Sequence, residues 1–349
     1  MGPAWRAPLL VLGFLALVSA VAGGLVRLGV DVPVPASGIA WHGALMASAF
    51  FGTLISLERA VALGQPWAYL APLACGLGGV ALLVYLTQPA LVLFIAGAAV
   101  LVFASAAIYA KQPALHTGVL VLGASALLAA NLGLLSRAPL AASALGWIAF
   151  FALTIGGERL ELSRLVRPPQ AARVAFAALS VALLLAALAA PWWTEAMLRT
   201  SGVLLVALSA WLARYDIASR TVRASGLTRY IALCLLLGYV WLALGGLALA
   251  FGAHLQWDAA LHALLLGFVF SMVFGHAPVI LPAVLRVRFP YHALLYVPLA
   301  LLHATLALRV AGDLAGSSLL RSLGGGGNAL AIAVFILTAA GLTLGTARR

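Results

Sequence analysis

Runs of about 20 apolar residues, each long enough to cross the roughly 30 Å hydrocarbon core of a bilayer as a helix, follow one another along the whole chain. Short polar or Pro/Gly breaks separate spans near 8–29, 38–60, 67–86, 89–110, 114–135, 140–160, 170–191, 198–217, 230–252, 258–283, 290–312 and 325–346. This pattern predicts an all-α polytopic membrane protein of about twelve transmembrane helices. Residues 1–349 form a single transmembrane domain in this reading, with no soluble part. Composition agrees, because 65% of the residues are hydrophobic and only 8% are charged, against about 25% charged in an ordinary soluble chain. The first run follows Arg6 as a signal peptide would, yet it continues through Gly23 and Gly24 without an obvious cleavage site. It is read as a retained helix.

Twenty basic residues against eight acidic ones would in isolation suggest a nucleic-acid partner. Their positions exclude it, since they stand at the ends of apolar runs and form no basic patch interleaved with aromatics. They encode topology instead. With the N-terminus in the cytoplasm, the inner segments carry fifteen of them: Arg6, Arg59, Lys111, Arg159, Arg164, Arg167, Arg173, Arg214, Arg220, Arg223, Arg229, Arg286, Arg288, Arg348 and Arg349. The outer segments carry Arg27, Arg137, Arg199, Arg309 and Arg321. This positive-inside bias places both termini in the cytoplasm and the chain in the cytoplasmic (inner) membrane, with the lipid bilayer as its first partner. Cys75 and Cys234 fall inside apolar runs and read as small buried hydrophobes.

An internal repeat organises the spans. Segment 44–59, ALMASAFFGTLISLER, lies over 144–159, ALGWIAFFALTIGGER, without a gap and with eight of sixteen positions identical, including a Phe-Phe pair and a terminal Glu-Arg. These are the second and sixth helices, so the period is four spans. A third copy should open at the tenth helix. There LHALLLGFVF from Leu261 lies over WHGALMASAF from Trp41, which puts His262 on His42. Three four-helix units are implied.

Ionisable residues within a membrane are costly and are functional candidates by default. Six of the seven histidines, all but His254, fall inside the expected spans. At 1.5 Å of rise per residue, His42 and His262 each lie about one turn below the outer surface, and His303 ends roughly 10 Å from it. His276, His292 and His116 fall in the inner half. His262 and His276 are fourteen residues apart and His292 and His303 eleven, so on unbroken helices each pair shares a face to within about 40° and 20°. Two neutral imidazoles from facing helices suit heme iron, with apolar helix faces burying the macrocycle. His42 and His262 are the expected axial pair. Arg309, then Arg27, are the cations expected near the propionates, and the remaining four histidines are candidates for a second heme or a copper ion. No catalytic residue is assigned.

Twelve spans, the period of four, the motif His42-Gly43-Ala44-Leu45-Met46 and a tenth-helix histidine resemble the catalytic subunit of heme-copper oxidases. That resemblance implies a pseudo-threefold arrangement of four-helix arcs, with second- and tenth-helix histidines on a low-spin heme. The stretch HALLLGFVFSMVFGH from His262 is similar to the tenth helix of the NnrS family, membrane proteins that carry heme and copper. This likeness implies a role in nitric oxide or denitrification metabolism, with a small gas as ligand and an electron-donor cytochrome on the outer side. The oxidases' His-x-His on the tenth helix is absent, position 260 being Ala and 264 Leu, and the seventh helix lacks their copper histidines. A secondary transporter, a twelve-helix permease without heme, is the competing reading. It would show charge near the midplane, where this sequence has none, while Pro278 and Pro282 interrupt one helix only.

Overall fold

The computed structural model describes residues 6–252 and 256–347, so that His254, Arg348 and Arg349 lie outside the described residues. The chain is 86% helical, with no strand among the described residues. Twelve helices are long and apolar enough to span a membrane: α1 (Ala7–Arg27), α2 (His42–Leu63), α3 (Pro66–Leu83), α4 (Thr87–Lys111), α5 (Leu115–Leu135), α6 (Leu140–Ser163), α7 (Gln170–Ala189), α8 (Thr194–Tyr215), α9 (Gly226–Gly252), α10 (Trp257–Leu285), α11 (Ala293–Ala315) and α12 (Ser318–Gly345). Each apolar run becomes one helix, because a backbone in lipid must satisfy its own N–H and C=O groups. The largest boundary shift is at α12, which begins at Ser318 rather than near 325.

Two compact units divide the chain, Met1–Glu158 with Ser180–Met197, and Arg159–Leu179 with Leu198–Arg349. In the first unit the repeat-related helices α2 and α6 pack on one another through the repeated residues themselves. Phe51 meets Phe151 edge-on at 4.8 Å between ring centroids, a geometry that the ring quadrupoles favour by about 0.5–1.5 kcal/mol. The Trp147 Nε1–H donates to Ser48 Oγ at 3.0 Å, and Arg59 pairs with Glu158, the glutamate of the other copy. The shared Phe-Phe and Glu-Arg of the sequence are therefore a helix–helix contact.

In the second unit the glycine run 324–327 lets α12 close onto α11. A Cβ on Gly324 would meet the Arg309 backbone, and one on Gly327 would meet the Thr305 side chain. Lipid tails are as apolar as the helices, so such close backbone approach, with few hydrogen bonds, is what holds membrane helices together. Asn328, one residue on, donates to Thr305 Oγ1 at 2.8 Å and to the Leu302 carbonyl at 3.2 Å. Gly324→Val should therefore lower the stability of the detergent-solubilised protein by about 1–3 kcal/mol or more. Gly326→Val, where a Cβ has nothing within 4 Å, should change it little. Equal thermal unfolding of the two variants would contradict this packing.

Two helices depart from α geometry at corresponding places. In α2 the residues Leu45–Phe51 form a π-helical segment, and in α10 Ala263–Phe270 do. Hydrogen bonds from i to i+5 widen the turn by one residue, and such segments concentrate at functional sites.

Candidate functional site

At the start of α10, His262 is the last residue before the π segment. Its Nδ1 lies 2.7 Å from the Asp258 carbonyl, one turn back. A carbonyl only accepts, so Nδ1 carries the proton and Nε2 of the neutral ring keeps its lone pair. A hydrogen bond of this kind fixes the tautomer and ring orientation of metal-ligating histidines. The Asp258 carboxylate is 3.6 Å from the same Nδ1. It accepts from Arg309 Nη2 at 3.1 Å and Arg321 Nη2 at 3.4 Å. Arg321 Nε also meets Asp313 at 2.7 Å. Arg309, expected at a propionate, thus spends one nitrogen on Asp258, and its buried Nε has no hydrogen-bond acceptor among the described residues.

His42 opens α2 in the first unit, three residues before the π segment. A short helix, Ala36–Ala40, brings the chain to it. Beneath it, Gly43 lies against the Trp147 ring, where a Cβ would stand 3.5 Å from Cζ3. From Trp147 a buried chain of hydrogen bonds runs through Ser48 Oγ to Asn131 Oδ1 at 2.6 Å. The Asn131 Nδ2 continues it to the Phe94 carbonyl at 3.0 Å. Four helices, α6, α2, α5 and α4, are thereby locked in register under His42. Arg27, the second expected propionate partner, is exposed at the end of α1.

The other histidines fall into distinct surroundings. His303 on α11 accepts at Nδ1 from Trp241 Nε1–H at 2.8 Å, and its Nε2 faces Ser271 Oγ at 3.3 Å. Ser271 gives its own proton to the Cys234 carbonyl. Both His303 nitrogens are therefore engaged in a network joining α9, α10 and α11. Gly267 makes room for it, since a Cβ there would overlap the Trp241 side chain. His276 repeats the His262 pattern, with Nδ1 2.7 Å from the Met272 carbonyl. His292 is exposed and extended, precedes α11, and accepts the Leu294 N–H at 3.1 Å as a cap. Its expected alignment with His303 on one helical face does not hold, because it is outside the helix. The π segment between His262 and His276 likewise breaks the α register on which their alignment rested. His116 stands half-buried at the first turn of α5. No group of three or more His, Cys, Asp or Glu that could hold a metal ion occurs among the described residues.

Asp216 was not singled out by sequence reasoning. It follows α8 at the boundary of an apolar run and is 1% exposed. Arg159 grips it with Nε at 2.6 Å and Nη2 at 2.8 Å, Tyr239 donates its hydroxyl, and the Ala218 N–H adds a fourth bond at 2.9 Å.

Twelve apolar helices with buried charge paired at their ends define a multi-pass all-α membrane protein. The chain belongs to a family described as "Domain of unknown function (DUF8744)", whose match covers residues 6–344. No curated protein matches it.

Proposed function

We propose that this protein binds heme in the membrane and passes electrons, with His42 and His262 as axial ligands. The observation that carries this reading is their shared context: each opens a repeat-related helix immediately before a π-helical segment. The ring of His262 fits the role, since its Nδ1–H is committed to a carbonyl and its Nε2 is left as a donor of electrons to a metal. Bound heme supplies one-electron chemistry. The chain's part is to hold two neutral imidazoles and to exclude water with apolar helix faces. Arg309 supplies a cation near His262 through their common partner Asp258. His116, His276, His292 and His303 are outside this ligand set. Two imidazoles fill both axial positions, so electron transfer is favoured over gas binding. A small gas such as nitric oxide would have to displace one of them. An outer-face cytochrome is the matching donor. A pyridine hemochrome assay on protein expressed with ample heme tests the reading: stoichiometric heme is expected, and heme-free protein would overturn it in favour of a permease.

The proposed orientation puts both termini in the cytoplasm of a bacterial-type inner membrane, on the strength of the fifteen-to-five charge asymmetry. Cys75 and Cys234 are buried, so introduced cysteines report cleanly. Ser317→Cys should react with an impermeant thiol reagent from outside, while Val166→Cys and Val222→Cys should not. Reversed labelling would invert the orientation and move His42 and His262 to the inner face.

A further inference from the structure

The end of α2 that carries Glu58 holds a second cluster, independent of the heme reading. Arg59 Nη2 contacts both repeat-related glutamates, Glu158 on α6 closely and Glu58 at 3.8 Å. Two carboxylates thus share one guanidinium within membrane-spanning helices. Next to them opens a small cleft in the first unit, lined by Arg59, Ser105 and Thr154 and walled by Ile55, Leu101 and Phe150. Ser105 and Thr154 are 3% and 5% exposed, and neither hydroxyl has a hydrogen-bond partner among the described residues. Arg59 Nε is likewise buried without an acceptor. Buried polar groups are almost always satisfied, by protein or by water, so three unmet groups around one cleft point to a small polar occupant.

Charge selects which one. The cluster carries one positive against two negative side chains, so an anion is repelled. A metal cation would face the guanidinium and two hydroxyls that are already short of acceptors. Water satisfies the hydroxyls and Arg59 Nε, and a proton removes the excess negative charge without a coordination shell. Like carboxylates held together in a poorly solvated place do not both ionise. The charged groups facing Glu58 are Glu158 and Arg59. Lys111 is exposed at the end of α4, and His116 begins α5, whose backbone runs beside Gly157.

We infer that Glu58 and Glu158 form a proton-binding pair, holding one proton between them and exchanging it with water in the Arg59–Ser105–Thr154 cleft. Protonation forms one O–H bond on a carboxylate, with the proton drawn from the aqueous phase at this helix end. The site gives the protein a place to take up a proton that compensates charge moved in the membrane.

Infrared spectroscopy of the purified full-length protein tests this. At neutral pH the wild type should show a carboxylic C=O stretch that shifts in D2O and is lost at alkaline pH. Glu58→Gln and Glu158→Gln, which keep side-chain shape, should each abolish that band, because the remaining carboxylate has Arg59 to itself. Thr154→Val should keep the band and move its titration, since it withdraws one water partner from the cleft. Circular dichroism confirms folding of each variant. A wild type without a D2O-sensitive carboxylic band, or a band surviving in both glutamine variants, overturns the proposal. So does a titration midpoint that moves when sodium replaces choline, which would assign the site to a metal cation.

Discussion

Asp216→Ala is expected to destabilise the protein by about 3–5 kcal/mol, the range for breaking a buried ion pair from one side. Arg159 would keep its charge in a place where its side chain is 5% exposed, and Tyr239 and the Ala218 N–H would lose their acceptor as well. The paired replacement Arg159→Met with Asp216→Leu should cost less than Asp216→Ala alone, since it leaves no unpaired charge. Thermal unfolding in detergent, followed by tryptophan fluorescence, measures both. An Asp216→Ala protein as stable as the wild type would show that the pair contributes nothing net, and a double variant worse than the single would show that its role is specific packing.

The second large effect concerns His42 and His262. Replacing either by Ala should abolish the sharp reduced α-band of a six-coordinate cytochrome, because one lost imidazole leaves an open axial position and a loosened porphyrin. Asp258→Asn keeps the backbone carbonyl that fixes His262 Nδ1 but removes the carboxylate held by Arg309 and Arg321. It should therefore retain the band and shift the midpoint potential, since outer partners of a ligand tune its basicity. His303→Ala should retain the band too. Its cost is structural, because Trp241 Nε1–H and Ser271 lose their partner. A band that survives both His42→Ala and His262→Ala would keep heme in the protein and transfer its ligation, with His276 the next candidate on its similar Nδ1 anchor.

The twelve helices were legible because hydrocarbon thickness sets a length that apolar runs report directly. The repeat was legible too, and the contacts Phe51–Phe151 and Arg59–Glu158 give it a physical reason, since the recurring residues touch one another. The π segments were not legible. Their residues are apolar at every position, so no periodicity distinguishes i to i+5 from i to i+4 bonding, and the helical-face arguments for His276 and His292 failed for want of that information. Asp258 and Asp216 escaped notice because each stands at the edge of an apolar run, where a charged residue ordinarily marks a solvated helix end. Only the third dimension shows Asp216 wrapped by Arg159 and Tyr239. A usable signal existed: with eight acidic residues in 349, each one near an apolar boundary is worth pairing with a basic residue at the same expected depth. Asn131, buried mid-helix and bonded to both Ser48 and Phe94, could have been flagged on the same ground.

The axial ligand pair is the centre of this account, and near-infrared magnetic circular dichroism of the oxidised wild-type protein reads it most directly, because the charge-transfer band of ferric heme reports the chemical identity of both axial ligands. Ligation by His42 and His262 predicts a low-spin ferric signal of the bis-imidazole type, at one heme per chain, lost in either alanine variant. A high-spin signal, a histidine–methionine signal, or protein that carries no heme would contradict it.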